Sequence, residues 1–406
     1  MGRSWCFSLI GGVPVGDCFP VRIMAVMNLS PESFYKGSVF TDSKSIEQYA
    51  LKVEGDADIL DVGASSSAPP EIYGSKPVSE GEELERVVNA VRLLRDVTTL
   101  PISVDTQRAK VAEAALREEA QIINDVSGFK GDPRMARVVA DFDASCVLMA
   151  CFKRPGDARS IEEARAALKE SIKMAVEAGV EPGKIVIDPG IGFGKPYECD
   201  LEILRGLKRL KVLRRPVLVG VSRKHFIGRI LGQPDPAERL VGSIAATAIA
   251  VYNGADVIRT HDAEEAKQAA CVSSAISRGI KVVERGEILI ADLTNIMLNV
   301  SDVEEVMGRI GVSDIGMKLM REKGVYRLLY LKNVSTPAAL ALKQHLLSVG
   351  GDAATPHGAI DFEARKCDVL LMATLKQLKG IIRKLKINAF GLPQIADLIL
   401  EFVRET

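Results

Sequence analysis

The chain has 406 residues, of which 47% are hydrophobic and 26% charged, so it can bury a full core and form one large domain plus a smaller one. Lysine plus arginine and aspartate plus glutamate number 53 each, so no overall field favours nucleic acid or an anionic membrane. A small molecule is therefore the expected partner, and any anion site must be local.

The N-terminal stretch from Trp5 to Val15 is apolar, but Gly11, Gly12 and Pro14 interrupt it. It is too short to span a bilayer and is poorly built as a signal peptide. The seven cysteines form no CxxC pair, which argues against a disulfide framework, and the four histidines lack metal-ligand spacing. These features predict a cytoplasmic protein.

Between residues 21 and 280, short apolar runs alternate with amphipathic stretches, as expected of repeated βα units and a parallel sheet. Several runs are apolar at nearly every position, which suits strands buried on both faces. The eight predicted strands are Val21 to Met27, Ala57 to Val62, Pro101 to Asp105, Gln121 to Val126, Ser145 to Ala150, Lys184 to Asp188, Pro216 to Val221 and Asp256 to His261.

This alternation predicts the α/β class and a closed (β/α)8 TIM barrel over residues 21–285, after a lead-in at residues 1–20. Helix patterns lie between the strands, as from Ser79 to Asp96, where Ser79 and Glu82 resemble a capping box. A doubly wound open sheet remains possible. It predicts fewer strands and a glycine-rich first turn, whereas this chain has NLSPESF there.

After residue 285 the alternation restarts with different spacing, which predicts a second, smaller α/β domain over residues 286–406. Its predicted strands are Tyr326 to Leu331 and Asp368 to Met372. Its predicted helices are Asp302 to Ile310, Asp314 to Lys323, Thr336 to Val349, Leu375 to Leu385 and Pro393 to Val403. We find no catalytic pattern in this region.

Polar or charged groups end seven of the eight predicted barrel strands, where an apolar run would otherwise continue. Each alone could equally be a helix cap or a turn residue. Because the C-terminal ends of barrel strands meet at one mouth, we expect them to form a single polar site. They are Asn28, Asp61, Asp105, Asn124, Asp188, Ser222 with Lys224, and Arg259 with His261, whereas the fifth strand ends in Met149 and Ala150.

The chemistry of these groups indicates the kind of ligand. Carboxylates and amides offer paired acceptors and donors that suit the edge of a flat nitrogen heterocycle. Lys224, Arg259 and His261 add positive charge at the last two strands, where TIM barrels often bind phosphate. The segment DPGIGFGK is neither a Walker loop nor a dinucleotide fingerprint, so it is more simply a βα turn.

In this order and spacing, the motifs MNLSPESF, DVGASS, SVDTQ, INDVSG, DPGIGFGK, VSRK and RTHD resemble the dihydropteroate synthase family. The resemblance covers about residues 20–280. It implies a TIM barrel enzyme of folate biosynthesis, a transferase that joins a dihydropterin methyl diphosphate to 4-aminobenzoate. It also implies Mg²⁺ on the diphosphate and a homodimer.

The resemblance also implies residue roles. Asp105, Asn124, Asp188 and Lys224 would hold the pterin ring, with Met149 packed nearby. Asn28, Arg259 and His261 would bind the diphosphate, with Asn28 near the metal. Phe34 and Phe193 would flank the arylamine, and Ser222 and His225 are further predicted substrate contacts. Of the whole set, the predicted catalytic residues are Asp61, Asp105 and Lys224.

The chain departs from the family at the predicted amine end. The family motif GESTRPG is replaced by ASSSAPP, so Ser67 and Ala68 stand for Thr and Arg, and Glu32 stands for Asp in the first loop. His225 replaces the serine that helps hold the 4-aminobenzoate carboxylate. The arylamine could therefore be a ribofuranosyl-aminobenzene phosphate, as in methanopterin synthesis, although His225 could also be a surface histidine.

Two other functions remain open at this level. Methyltransferases that take a methyl group from a methyl-tetrahydropterin share the pterin-binding barrel but need no diphosphate site. A pterin-binding protein without catalysis is the third possibility, because the second loop is altered. The C-terminal domain weakly resembles an accessory segment of long-form synthases, where it would precede the barrel.

Overall fold

The computed structural model describes residues 6–30, 37, 39–65, 78–277, 282–285, 288–359 and 365–404. The chain forms two compact units, Met1–Leu293 and Thr294–Thr406. In the described part of the chain, no helix is long and apolar enough to cross a membrane.

The first unit begins with an antiparallel hairpin of two strands, β1 (Phe7–Ile10) and β2 (Val13–Gly16). The barrel strands that follow match the predicted positions and are all parallel. They are β3 (Arg22–Asn28), β4 (Ile59–Gly63), β5 (Ile102–Asp105), β6 (Ile122–Asp125), β7 (Ser145–Met149), β8 (Ile185–Asp188), β9 (Leu218–Val219) and β10 (Val257–Thr260).

Among the described residues, these eight strands form one sheet in the order β8-β7-β6-β5-β4-β3-β10-β9. A parallel bridge between Ile187 and Val217 joins the two ends of this sheet. The sheet therefore closes, which confirms the predicted TIM barrel and excludes the open doubly wound alternative.

Helices follow the barrel strands, and several begin at side-chain caps. Ser79 accepts a hydrogen bond from the backbone N–H of Glu82, and Ser160 does the same for Glu163. The described helices of this unit are α1 (Ser43–Val53), α2 (Glu80–Val97), α3 (Ala109–Arg117), α4 (Met135–Asp141), α5 (Ile161–Ala178), α6 (Tyr197–Arg205), α7 (His225–Leu231), α8 (Leu240–Tyr252) and α9 (Ala263–Ile276).

The β1–β2 hairpin packs its apolar side chains into the N-terminal end of the barrel. Ile10 and Val15 belong to the same buried cluster as Met24 of β3 and Val257 of β10. At this end the buried Lys211 Nζ donates to Asp17 Oδ1 at 2.8 Å and to both carboxylate oxygens of Asp256 at 2.7 and 2.6 Å. The segment predicted as a lead-in thus covers the end of the barrel away from the predicted site.

The last strands of the first unit are β11 (Val282–Arg285) and β12 (Ile288–Ala291), an antiparallel pair. The two strands lie on either side of residue 286, where the sequence places the start of the second domain. This hairpin has no counterpart among the predicted elements.

The second unit contains an antiparallel sheet of β13 (Tyr326–Ser335), β14 (Asp352–Ala354) and β15 (Lys366–Thr374), with β15 in the centre. The described helices are α10 (Val300–Arg309), α11 (Asp314–Met320), α12 (Thr336–Leu347), α13 (Leu375–Lys386) and α14 (Leu392–Arg404). Side chains such as Leu342, Leu371 and Ile381 form their shared core. The predicted elements are present, and β14 is an additional strand.

Candidate active site

The predicted polar residues come together at the C-terminal ends of the barrel strands. Strand register places Asp105 beside Asn124 on neighbouring strands, and Met149 beside Asp188 on the next pair. Because parallel strands all end on the same side, these adjacent pairs face a common opening. All four side chains are buried.

Asp61 is the most heavily hydrogen-bonded carboxylate of this site. Its Oδ1 accepts from the Ser103 hydroxyl at 2.6 Å, and its Oδ2 accepts from Asn124 Nδ2 at 3.2 Å and from Arg259 Nε at 2.7 Å. Asp61 lies in β4 two residues before the strand ends, and it is fully buried. Side chains from β5, β6 and β10 thus hold Asp61 in place.

The guanidinium of Arg259 links Asp61 to a second carboxylate. Its Nη2 donates to Asp105 Oδ2 at 3.0 Å. Burial alone would lower the pKa of Arg259, but the carboxylates of Asp61 and Asp105 outweigh it and raise the pKa above its usual value. The site therefore holds a permanently charged cation between two predicted catalytic acids.

Lys224 occupies the opposite side of the charge cluster, beside Asp188. Burial and the nearby Arg259 lower the pKa of Lys224 to about 8, although Asp188 opposes that shift. Burial raises the pKa of Asp188, while the Gly190 N–H that donates to its Oδ1 at 2.7 Å works in the other direction. The Lys224 ammonium also lies 4.3 Å from the ring centroid of Phe193, a cation–π distance.

An apolar cluster of Val126, Met149 and Phe193 lies next to these charges. Met149 closely approaches the backbone of Gly190, where an added Cβ would lie 3.1 Å from the sulfur. A flat ring held by the polar pairs could pack on these side chains. The structure thus places Met149 and Phe193 with the predicted ring contacts.

His261 is oriented by polar groups behind it. Its Nδ1 lies 3.0 Å from the Ser222 hydroxyl, which also accepts the His261 backbone N–H at 3.3 Å. Ser222 in turn lies 3.4 Å from Asp262 Oδ2, and Arg223 binds Asp262 through two hydrogen bonds of 2.9 and 2.7 Å. A ring oriented in this way presents a defined nitrogen to a ligand.

The surroundings of His261 favour the neutral imidazole, contrary to the positive charge predicted for this residue. Burial and the neighbouring cations Arg259, Lys224 and Arg223 hold its pKa well below the usual value. It would therefore meet a ligand anion as a neutral hydrogen-bonding group, while Arg259 carries the positive charge.

Asn28 ends β3 at the same mouth. Between Asn28 and Asp105 lies Gly63, whose ideal Cβ would be 3.8 Å from Asn28 Oδ1 and 3.8 Å from Asp105 Cβ. In the part of the chain that the structure describes, no group of three His, Cys, Asp or Glu residues could hold a metal ion by itself. The amide oxygen of Asn28 suits Mg²⁺, which commonly takes few protein ligands and completes its shell with phosphate and water.

The residues predicted at the amine end are only partly described. His225 begins α7 and is partly buried, and burial followed by Arg239 and Arg229 lowers its pKa. Phe34, Glu32, Ser67 and Ala68 lie outside the described residues.

The sequence patterns missed several residues that support the site. Ser103 bonds Asp61, and alternation along β5 puts it on the same face as Asp105, so its polarity within an apolar run was a usable signal. Arg223 and Asp262 stand within the motifs VSRK and RTHD. Their mutual ion pair joins residues 39 apart, which no local pattern indicates.

The fold and the site define a TIM barrel enzyme with an acidic and cationic cluster at the C-terminal mouth. The chain matches the family model described as pterin binding enzyme over residues 24–261. This chain belongs to the pterin-binding enzyme family.

Curated relatives give the match more detail. The dihydropteroate synthase of Clostridium beijerinckii is 40% identical over 258 residues, which cover 63% of this chain and 94% of the relative. The dihydropteroate synthase of Synechocystis is 39% identical, with 63% and 90% covered. The similarity thus extends over nearly the whole length of these relatives.

Solved structures agree with the fold. A Xanthomonas albilineans dihydropteroate synthase with 4-aminobenzoic acid is 35% identical with a TM-score of 0.59, and the match covers 68% of this chain and 98% of that one. A Coxiella burnetii dihydropteroate synthase in complex with pteroic acid is 31% identical with a TM-score of 0.58, covering 67% and 98%.

Proposed function

We propose that this chain is a dihydropteroate synthase, which joins (7,8-dihydropterin-6-yl)methyl diphosphate to 4-aminobenzoate and releases diphosphate. The observation that carries the proposal is the buried cluster in which the Arg259 guanidinium donates hydrogen bonds to Asp61 and Asp105. The names of the relatives and the ligands of the two solved structures support the same reaction.

In this reaction the bond between the pterin methylene carbon and the diphosphate oxygen breaks, and the electron pair leaves with the oxygen. The amine nitrogen then forms a bond to the methylene carbon and loses a proton. The developing positive charge on the methylene is stabilised by the buried carboxylates of Asp61 and Asp105. The leaving group gains negative charge, which Arg259 and neutral His261 would bind.

The pterin ring is assigned to Asp105, Asn124, Asp188 and Lys224. A carboxylate can accept from ring N–H groups, and the carboxamide of Asn124 can both donate and accept. With a pKa of about 8, the Lys224 side chain is still mainly an ammonium at neutral pH and can donate to a ring acceptor. Met149 would pack against the ring face.

Magnesium is proposed to bind with the diphosphate, held by the amide oxygen of Asn28 and by phosphate oxygens. The ion would neutralise charge on the leaving group when it is bound.

The arylamine is assigned to the Phe193 side of the site, with Phe34, Ser222 and His225 as further predicted contacts. Burial, followed by Arg239 and Arg229, lowers the pKa of His225, which disfavours its charged form beside either anionic amine. The relatives and the solved structure with 4-aminobenzoic acid support 4-aminobenzoate, and the phosphorylated ribofuranosyl amine becomes a competitor in the assay. No observation favours the methyltransferase or the non-catalytic pterin binder.

A homodimer is proposed through the exposed faces of α8 and α9. The sequence of α8 contains no charged residue, and Val241 and Ile249 are 78% and 55% exposed. On α9, Val272 and Ile276 are 62% and 68% exposed. The two helices are in direct contact, and a second copy could cover their exposed apolar side chains.

A reducing compartment such as the cytoplasm is proposed from the cysteines. Cys146, Cys151 and Cys367 are buried and form no disulfide, and burial raises the pKa of the Cys146 thiol. Buried neutral thiols are typical of proteins that do not depend on disulfides.

The decisive test is diphosphate release by the purified protein given dihydropterin methyl diphosphate and one arylamine at a time. We expect turnover with 4-aminobenzoate and a coupled dihydropteroate product. Turnover only with the ribofuranosyl-aminobenzene phosphate would identify that amine, and not 4-aminobenzoate, as the second substrate. Pterin binding without diphosphate release from any amine would refute the synthase assignment.

A further inference from the structure

A buried ion pair underlies the glycine-rich loop after β8, residues 189–195, which we call the glycine loop. The Nζ of Lys195 donates to the carbonyl oxygens of Gly190 at 2.6 Å and Pro189 at 3.3 Å, and lies 3.9 Å from Asp200 Oδ1. The same Asp200 oxygen accepts the Gly192 N–H at 3.0 Å. The Lys195 and Asp200 side chains are 0% and 3% exposed.

The glycine loop also forms one wall of the site. Gly190 donates to Asp188, and at Gly192 an added Cβ would lie only 2.7 Å from Lys224 Cδ. The Phe193 ring contacts the Lys224 ammonium. A small change in the path of this loop would therefore move Asp188 and Lys224 relative to each other.

The backbone preferences of the glycine loop do not by themselves fix its conformation. Gly190, Gly192 and Gly194 all have φ values between 74° and 88°, a region that glycine enters readily but does not prefer strongly. A buried ion pair adds little net stability, because desolvation offsets its attraction, but it can specify one conformation. The Lys195 and Asp200 contacts hold this backbone at Pro189, Gly190 and Gly192.

We propose that Lys195 and Asp200 are positioning residues, which hold the glycine loop in the shape that sets Asp188 and Lys224 for the pterin ring. Neither side chain needs to touch substrate. The consequence for turnover rests on the proposed synthase function, whereas the conformational role does not.

The pair also contributes charge to the two site residues. Lys224 is faced by Arg259, Asp188, Asp200 and Asp105, and Asp200 raises its pKa. Replacing Asp200 by asparagine should therefore move the basic limit of pterin binding to lower pH.

Replacing the lysine of the pair affects the acid limit of pterin binding. Asp188 is faced by Lys224, Lys195 and Arg259, and Lys195 lowers its pKa. Replacing Lys195 by methionine should move the acid limit of pterin binding to higher pH. The Asp200 variant thus shifts the basic limit of the pH profile of pterin binding, and the Lys195 variant shifts the acid limit. A general loss of stability would not shift the two limits separately.

The experiment compares Lys195→Met and Asp200→Asn with Lys211→Met, which removes an equally buried ion-paired lysine at the other end of the barrel. If Lys211→Met does not fold, the control is Arg22→Met, which breaks the partly exposed ion pair between Arg22 and Asp58. Amide hydrogen exchange is measured for Gly190 and Gly192 without ligand, and binding of 6-hydroxymethylpterin is measured from pH 5 to 10.

We expect at least tenfold faster exchange in the glycine loop and at least tenfold weaker pterin binding for both site variants, with neither effect in the controls. Unchanged loop exchange together with unshifted pH limbs in the site variants would overturn the proposal, even if they melt at lower temperature. Absence of diphosphate release by the unmodified protein would instead refute the proposed function, and the exchange data would still decide the role of Lys195 and Asp200.

Discussion

The Nε of Arg259 donates to Oδ2 of Asp61 at 2.7 Å, which connects the last described strand of the barrel to the second across β3. The pair brings a predicted diphosphate ligand and a predicted catalytic acid into one contact. An anionic group that binds Arg259 must share this guanidinium with the carboxylate. The negative charge of Asp61 and the positive charge of Arg259 thus balance each other across one hydrogen bond.

Asp61→Asn should lower kcat/KM by roughly 10²-fold, because the amide keeps the shape but removes negative charge where the pterin methylene becomes cationic. Steady-state diphosphate release measures the effect. Asp58→Asn is the matched control, since Asp58 pairs with Arg22 at the opposite end of the barrel. Equal losses in the two variants would contradict a role for Asp61 in the reaction.

The pH profile should report Lys224, whose pKa is lowered to about 8 by burial and then by Arg259. The ammonium is present below this value and is lost above it, so kcat/KM for the pterin substrate should fall as pH rises through about 8. Lys224→Gln should reduce activity and remove this basic limb. A profile that stays flat up to pH 9.5 in the unmodified enzyme would argue against donation by Lys224.

Gly192→Ala tests the close approach between the glycine loop and Lys224. The φ of +75° strains any side chain, which costs about 1–3 kcal/mol, and the new Cβ would press on Lys224. Gly232→Ala is the control, because Gly232 has a φ of +68° and nothing within 4 Å of an added Cβ. Both variants should lose stability in thermal unfolding, but only Gly192→Ala should weaken pterin binding, and equal binding would disprove the contact.

Metal removal tests the proposed magnesium site. Chelation with EDTA should abolish diphosphate release, and added Mg²⁺ should restore it. Asn28→Ala should raise the Mg²⁺ concentration needed for half-maximal activity about tenfold or more, the effect expected when a metal contact is lost. Asn253→Ala, which removes a side-chain bond to the Leu204 carbonyl, should not. Full turnover in EDTA would exclude the ion from the reaction.

Ile249→Glu tests the proposed dimer surface on α8 and α9. A charge at the centre of an apolar interface should shift the protein to monomer in sedimentation or light scattering. Leu51→Glu on α1, another exposed apolar residue at 58% exposure, should leave the oligomeric state unchanged. A monomer before any substitution would remove the basis of this proposal.

The barrel elements were predictable because their signal is local. Buried parallel strands such as β7, which is buried at every position and apolar from Cys146 to Met149, are separated from amphipathic helices by turn residues. The β1–β2 hairpin and β14 were not predicted. They are as short as several barrel strands, but they stand outside the regular alternation with amphipathic helices that marked those strands.

The sequence predicted which residues line the candidate site, but not which side chains contact one another. Asp105, Asn124 and Asp188 were identified because a polar group stands where an apolar strand ends. The support from Ser103, Lys195 and Asp200 was missed. Lys195 and Asp200 look like ordinary surface or turn residues until the surrounding elements bury them, whereas the polarity of Ser103 within β5 was a signal that went unused.

By itself the amino-acid sequence determined the βα alternation, the positions of the eight barrel strands and the polar residues that end seven of them, because side-chain periodicity and burial act over a few residues. Only the tertiary structure decided which charges meet. The bond from Arg259 to Asp61 joins residues 198 positions apart, and it exists because the closed barrel brings the ends of distant strands to one mouth. Burial in that mouth then sets the pKa values on which the proposed chemistry depends.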